Sequence, residues 1–211
     1  FGGIIMARAF ADICFTDSVK NAQTLYGSRE ANQGFEHAED ARNDLTEREA
    51  EFIAARDSFY QATVSETGWP YVQHRGGLTG FLQVLDANTI GYADFRGNRQ
   101  YVSVGNLAAN DKISLILMDY ANRRRLKIWG RVQIVHAEDN PELVAKLENP
   151  AYRARVERAV VITVDAWDWN CPQHITQRFT QADINVAVQP LHDEITALKT
   201  QLHQLQDKHH D

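Results

Sequence analysis

Three pieces of one stretch decide how this chain reads: G-W-P-Y-V-Q-H-R-G-G from Gly68 to Gly77, I-G-Y-A-D-F-R-G-N-R-Q from Ile90 to Gln100, and R-R-R-L-K-I-W-G-R-V from Arg123 to Val132. Each is strand-like and carries arginines, glycines or amides at a strand end. A strand end that only holds a barrel together needs no repeated guanidinium groups. Arginine forks bind phosphate and other planar anions through paired hydrogen bonds, and glycine lets a backbone come close to a ligand. The stretch points to a sheet with a phosphate-bearing planar ligand laid against it.

Working outward, Thr46-Glu47-Arg48-Glu49 fits a capping box and predicts a helix to about Asp57 that buries Phe52 and Ile53. Ser58 to Ser65 reads as a strand with Phe59, Gln61, Thr63 and Ser65 on one face. Glu66 to Pro70 is a turn, and Tyr71 to Arg75 returns as the second arm of a hairpin. Gly80 to Leu85 and Thr89 to Phe95 form another pair around Asp86-Ala87-Asn88. Gln100 to Ala109 fits either a short helix or a loop. Lys112 to Tyr120 is apolar on both faces, which predicts a central strand.

Arg124 to His136 is a long alternating strand. Arg125, Lys127, Trp129 and Arg131 share one of its faces, and Leu126 and Ile128 turn to the core. Pro141 to Leu147 and Ala151 to Arg158 read as helices, and Val160 to Ala166 as the last strand. This succession predicts a mainly β chain with peripheral helices, folded as a small barrel. Residues 1–45 show no clean period and are expected to form an arm with one short helix. Val188, Leu191, Ile195, Leu198, Leu202 and Leu205 are spaced as a heptad seam, suited either to packing on the chain's own domain or to packing between subunits.

The chain has 211 residues and a formal net charge of -6. That length suits one domain with appendages. The acidic balance argues against non-specific nucleic-acid binding, which needs a basic surface. Cys14 and Cys171 have no paired spacing, so neither a disulfide framework nor a zinc site is indicated and no metal is expected. Cys171 reads as a structural thiol. Reduced thiols suit the cytoplasm. No apolar run approaches the roughly 20 residues that span a bilayer. The apolar Phe1 to Ile5 lacks the basic flank of a signal peptide, and Met6 is a candidate natural start.

The ordered pieces T-V-S-E-T-G-W-P-Y, A-D-F-R-G-N-R-Q, L-A-A-N-D-K-I-S-L-I-L, R-R-L-K-I-W-G-R-V and H-I-T-Q-R-F resemble the pyridoxamine 5'-phosphate oxidase-like flavoproteins. The resemblance runs from Thr46 to Phe179 and is nearest to a branch carrying H-R-G-G and G-N-R-Q. It implies a six-stranded antiparallel split β-barrel over 46–180, preceded by the arm and followed by an amphipathic helix over 181–211. It also implies FMN rather than FAD as cofactor, held at the interface of a homodimer, and an FMN-dependent oxidoreductase acting on a small molecule. Two other readings stay open. One is a flavin-binding protein that turns nothing over. The other is a haem-binding relative using His74 or His174 as ligand.

The same resemblance assigns residues. Asn98-Arg99-Gln100 stands where the family has the Ser-Arg-Lys run that grips the FMN phosphate; the arginine is kept and the lysine has become glutamine. Ala93 and Asp94 match positions that contact the flavin ring. Gln73, His74 and Arg75 lie on the strand matching the first flavin-contacting strand, with His74 a candidate proton donor. Arg125 falls where the family has a flavin-contacting glutamine. Trp169 and Arg178 match the C-terminal tryptophan and arginine that complete the site, with Trp167 a competing match. His174 and Thr176 stand where the vitamin B6 enzyme has an arginine and a histidine for its substrate. Oxidation of pyridoxamine phosphate is therefore not expected.

Overall fold

The strand-like runs pair into one antiparallel sheet of seven strands in the computed structural model, which describes residues 8–38, 41–169 and 172–207. Met6 and Cys171 lie outside the described residues. The strands are β1 (Ser58–Val64), β2 (Pro70–Gly76), β3 (Gln83–Asp86), β4 (Thr89–Phe95), β5 (Lys112–Asp119), β6 (Arg124–His136) and β7 (Val156–Trp169). Their order across the sheet is β2-β1-β5-β6-β7-β4-β3. Among the described residues no backbone ladder joins β2 to β4, so the barrel is split there.

Side chains show that the sheet nevertheless curls on itself. Phe59 of β1 meets Tyr92 of β4 edge-on at 5.4 Å, and the Tyr92 hydroxyl donates to Gln61 Oε1 at 2.8 Å. In the sheet order β1 and β4 are separated by three strands, so only closure brings these residues together. The core they share includes Ile53, Leu115, Leu117, Leu126, Ile128 and Ile162, none more than 0 % exposed. Alternation supplies this core directly. On β5, Ile113, Leu115 and Leu117 are buried while Ser114, Ile116 and Met118 are not.

The strand count corrects the expected six. β3 has only four residues and adds as an edge to β4 around the turn at Ala87 and Asn88. Residues 151–158 are also not helical. They form a turn that runs into β7, because the valines and isoleucine of this strand extend its ladder back to Val156. A bulge at Asp165, between the Trp129↔Ala166 and Gly130↔Val164 pairs, bends the long β6–β7 ribbon.

The described residues also form seven helices: α1 (Ala9–Cys14), α2 (Asp17–Leu25), α3 (Arg29–Glu36), α4 (Glu47–Ala54), α5 (Val102–Ala109), α6 (Pro141–Leu147) and α7 (Gln181–Asp207). α4 starts at the expected capping residue, with Thr46 N donating to Glu49 Oε2 at 3.2 Å. Among its described residues the N-terminal arm holds three helices rather than one. Its aromatics meet across helices: Phe10 lies 5.6 Å from Phe15, 6.2 Å from Phe35 and 5.1 Å from Trp129 of β6. No single helical period links positions 10, 15 and 35, so the sequence hid this arrangement.

The chain divides into a barrel unit, 1–119 with 124–172, and a C-terminal unit, 120–123 with 173–211, dominated by α7. In that second unit Gln177 Nε2 donates to the Ala121 carbonyl at 2.9 Å. Among the described residues no helix is long and apolar enough to cross a membrane.

Candidate functional site

β4 ends at Phe95, and the chain then turns through Arg96-Gly97-Asn98-Arg99-Gln100 into α5. Asn98 Oδ1 accepts from the backbone N–H of Gln100 at 3.1 Å, an Asx turn. Arg99 and Tyr101 both take the left-handed conformation, with φ of 61° and 53°. Side chains other than glycine rarely hold that geometry without a surrounding constraint. The result is a sharp corner at the start of α5. Tyr101 gives the helix no side-chain cap, so its first N–H groups lack intrahelical acceptors and carry the positive end of the helix dipole.

This corner faces the inward edge of β2. Between them lies a cavity of about 210 Å³ lined by Gln73, Arg75, Asp94, Asn98, Arg99 and Gln100, together with Tyr71, Tyr101, Ser103 and Glu157. Six of the expected site residues thus come together from three separate segments. The Ser103 hydroxyl donates to Gln73 Oε1 at 2.8 Å, which fixes the amide and leaves its NH2 group as the free end.

The electrostatics of the floor are tightly paired. Arg75 Nη1 donates to Asp94 Oδ1 at 2.7 Å, and Arg158 Nε stands 3.6 Å from Asp94 Oδ2, an ion pair too long to be a hydrogen bond. Burial holds the Asp94 carboxyl above its ordinary value against the opposing pull of Arg75 and Arg158. Glu157 is engaged by Arg158, by the Tyr101 hydroxyl at 3.2 Å and by Arg96 Nε at 3.7 Å. The Arg158 guanidinium also sits 5.1 Å from the Tyr101 ring centre. Two donors remain open: Arg75 Nε and Arg158 Nε are buried with no hydrogen-bond partner. The exposed Arg99 side chain makes no hydrogen bond or ion pair among the described residues. The pocket therefore offers a free guanidinium, an amide donor and uncapped helix N–H groups on one side, over a neutralised base. That set suits an anion with oxygen acceptors.

Other expected residues lie elsewhere. Ala93 is buried beneath the cavity wall, in a small cluster with Val135, Val144, Leu147 and Ala159. His74 points outward from β2, 5.4 Å from the Tyr60 ring. Arg125 is half-buried on β6, with its Nε buried and unpartnered. Further along β6, Lys127 pairs with Asp168 at 3.7 Å and lies 4.9 Å from Phe10, so α1 covers this part of the strand face. Trp169 donates from Nε1 to the buried Glu49 at 2.6 Å, packs edge-on against Phe52 at 4.7 Å, and lies between Arg48 and Arg124 at 4.8 and 4.9 Å. It stands at the far end of β7 from Arg158, eleven residues further along the strand. Trp167 donates to the Asp44 carbonyl at 2.9 Å. In the C-terminal unit, Arg178 stacks over Tyr120 at 5.1 Å, and His174, with φ of 65°, and Thr176 are exposed. Among the described residues no cluster of histidine, cysteine, aspartate or glutamate is arranged to hold a metal.

Arg158, Tyr101, Ser103 and Glu157 were not singled out from the sequence. Residues 157 and 158 were hidden by the helical reading of 151–158. The signal for Arg158 was its position at the head of a β-branched run, where a charged side chain turned inward requires a partner.

A sequence model of the family described as pyridoxamine 5'-phosphate oxidase matches residues 45–170. No curated protein matches the chain. Among solved structures, HupZ from Group A Streptococcus is 18% identical over 64% of this chain and 99% of its own, with a TM-score of 0.49. A putative pyridoxamine 5'-phosphate oxidase from Lactobacillus delbrueckii is 21% identical over 60% of this chain and 94% of its own, with a TM-score of 0.46. An FMN-binding protein from Syntrophomonas wolfei is 16% identical over 74% and 96%, with a TM-score of 0.43.

Proposed function

We propose that this chain, which belongs to the pyridoxamine 5'-phosphate oxidase family, binds FMN with its phosphate in the cavity between β2 and α5. The observation that carries the reading is the convergence of Gln73, Arg75, Asp94, Asn98, Arg99 and Gln100 on that one cavity. Arg99, the Gln100 side chain and the uncapped start of α5 would hold the phosphate. Gln73, oriented by Ser103, would donate to an acceptor further along the ligand. A glutamine in place of the family's lysine removes one charge; Arg75, which lines the cavity, is already paired with Asp94 and keeps its Nε donor open.

The cavity also supports a dimeric assembly. Sites that enclose a drug-sized ligand measure about 300–1,000 Å³. The 210 Å³ here suits the phosphate and the sugar chain, and leaves the ring system to be covered by another surface. A second copy of the chain supplies that cover. The outward face of β1, β2 and β5, opposite the cavity across edge strand β2, is apolar and open, so a second copy seated there would reach the cavity round the β2 edge. Val72 is 63% and Tyr60 41% exposed, and the ladders set Tyr60 beside Ile116 and Ala62 beside Val72. A dimer is also the arrangement that lets Trp169 and Arg125 share a ligand with Arg99, since Trp169 lies so far along β7 within one chain.

When bound, FMN supplies hydride or electron transfer; the side chains bind it, orient it and tune its surroundings. The activity that follows is an oxidoreductase acting on a small molecule. Pyridoxamine phosphate is a poor candidate, because His174 and Thr176 replace the arginine and histidine of the vitamin B6 enzyme. Extraction and chromatography of the cofactor, with light scattering of the holoprotein, test the reading. FMN and a particle near twice 24.0 kDa are expected. Stoichiometric FAD, or a monomer that binds FMN one to one, overturns it.

A further inference from the structure

α7 carries an apolar seam that its own unit leaves open. Leu191, Ile195, Leu198, Leu202 and Leu205 are each between 49 and 57 % exposed. Among the described residues of the C-terminal unit no second helix runs beside them. Their spacing with Val188 places Val188, Ile195 and Leu202 at heptad position a, and Leu191, Leu198 and Leu205 at d. Two of the three a residues, Val188 and Ile195, are β-branched, and every d is leucine, a pattern that favours two parallel strands over three or four.

The flanking charges choose the partner. Glu194 falls at g and Lys199 at e. In a parallel, in-register pair, each g residue faces the e residue five positions on in the other helix. Glu194 then meets Lys199 of a second copy, twice by symmetry. Within one helix the two are five residues apart and do not neighbour each other. An antiparallel pair sets g against g and e against e, which denies Glu194 this partner. Pro190, which lacks an N–H and interrupts the helical ladder, sits at c on the outer side and leaves the seam clear.

We propose that α7 pairs in parallel and in register with α7 of a second copy of this chain. A seam of about three heptads is marginal by itself. Pairing of the barrels raises the effective concentration of one helix about the other to the millimolar range. In that respect the inference rests on the dimer proposed above, and it does not depend on the cofactor.

Disulfide trapping in the full chain tests it. Leu198→Cys at d brings two thiols within the roughly 6 Å between Cα atoms that a disulfide spans. Thr200→Cys, on the outer face at f, does not. Under mild oxidation Leu198→Cys is expected to cross-link at least about tenfold faster than Thr200→Cys. In the Leu198→Cys background, Glu194→Lys or Lys199→Glu should each weaken pairing about threefold to fivefold, the worth of two exposed ion pairs, and the double exchange should restore it. Light scattering on the same samples reads barrel pairing separately. A dimer in which Leu198→Cys cross-links no faster than Thr200→Cys overturns the coil and leaves the dimeric flavin site standing. Cross-linking that the double exchange fails to restore overturns the parallel register. A monomer overturns both proposals.

Discussion

Arg75 Nη1 lies 2.7 Å from Asp94 Oδ1, joining edge strand β2 to β4 across the gap where no backbone ladder closes the barrel. Both side chains are largely buried, at 17% and 6% exposed, and Arg158 backs the carboxylate from the other side. Among the described residues the seam of the barrel is therefore bridged by this charge pair, beside the Phe59–Tyr92 and Tyr92–Gln61 contacts, and not by a main-chain ladder. Removing one partner strands the other in a poor solvent for ions. Arg75→Ala is expected to destabilise the chain by about 3 kcal/mol, the lower end for breaking a buried pair. Urea unfolding measures this, and a loss below about 1 kcal/mol would show that the pair does not close the seam.

Arg99 should separate binding from stability. Arg99→Ala is expected to weaken FMN binding by about 1.5–3 kcal/mol, the worth of a charge-assisted contact. Arg99→Gly should weaken binding similarly while stabilising the fold by about 1 kcal/mol, because glycine holds the left-handed conformation at φ of 61° without strain. Flavin-fluorescence titration alongside thermal unfolding reads both effects. Unchanged affinity in both variants would place the phosphate elsewhere.

Gly130 marks a close approach of β6 to β7. A Cβ there would lie 2.4 Å from the Thr163 carbonyl oxygen and 2.8 Å from Ile162 Cγ2. The first of these is backbone, which cannot swing aside as a side chain end does. Gly130→Ala is expected to cost about 3 kcal/mol, the upper range for overpacking. A denaturant midpoint equal to wild type would mean that the ribbon shifts freely at the Asp165 bulge.

Val72 tests the dimer face. It points outward from β2 and is 63% exposed, so Val72→Arg should leave the stability of an isolated chain within about 0.5 kcal/mol. On the proposed assembly the same change should split the dimer and release the flavin together. Size by light scattering and flavin retained after gel filtration are the two readouts. A Val72→Arg dimer that keeps its flavin would move the interface to another surface.

The start of α7 should respond to acid. The backbone N–H of Thr180, and then its hydroxyl, donate to Asp183 and hold its carboxyl below the ordinary value of 3.8. Its folded pKa is thus lower than the unfolded one. The stabilisation is present above the ordinary value and is lost as pH falls through the lowered one. The protection factors of amides in the first turn of α7, measured against intrinsic exchange at each pH, should therefore fall below about pH 4, the ordinary range of an aspartate. Asp183→Asn should abolish this acid response, and a response that survives the change would assign it to another group.

The sequence by itself determined the elements whose signals are local. Alternation over Arg124 to His136 and the proline-led run Pro141 to Leu147 match β6 and α6 residue for residue, because a period of two or of 3.6 is written in neighbouring side chains. The turn at Asn98-Arg99-Gln100 is legible for the same reason, since an Asx turn needs only its own backbone. The tertiary structure alone decided which charges are spent and which are free. Arg75 is neutralised by a carboxylate 19 residues away, and Trp169 is claimed by Glu49 across 120 residues, while Arg99 keeps its charge unpaired. Nothing in the local pattern distinguishes these arginines and tryptophans. Their roles follow from which strands the curled sheet brings face to face, and from the energetic need to pair any ion that it buries.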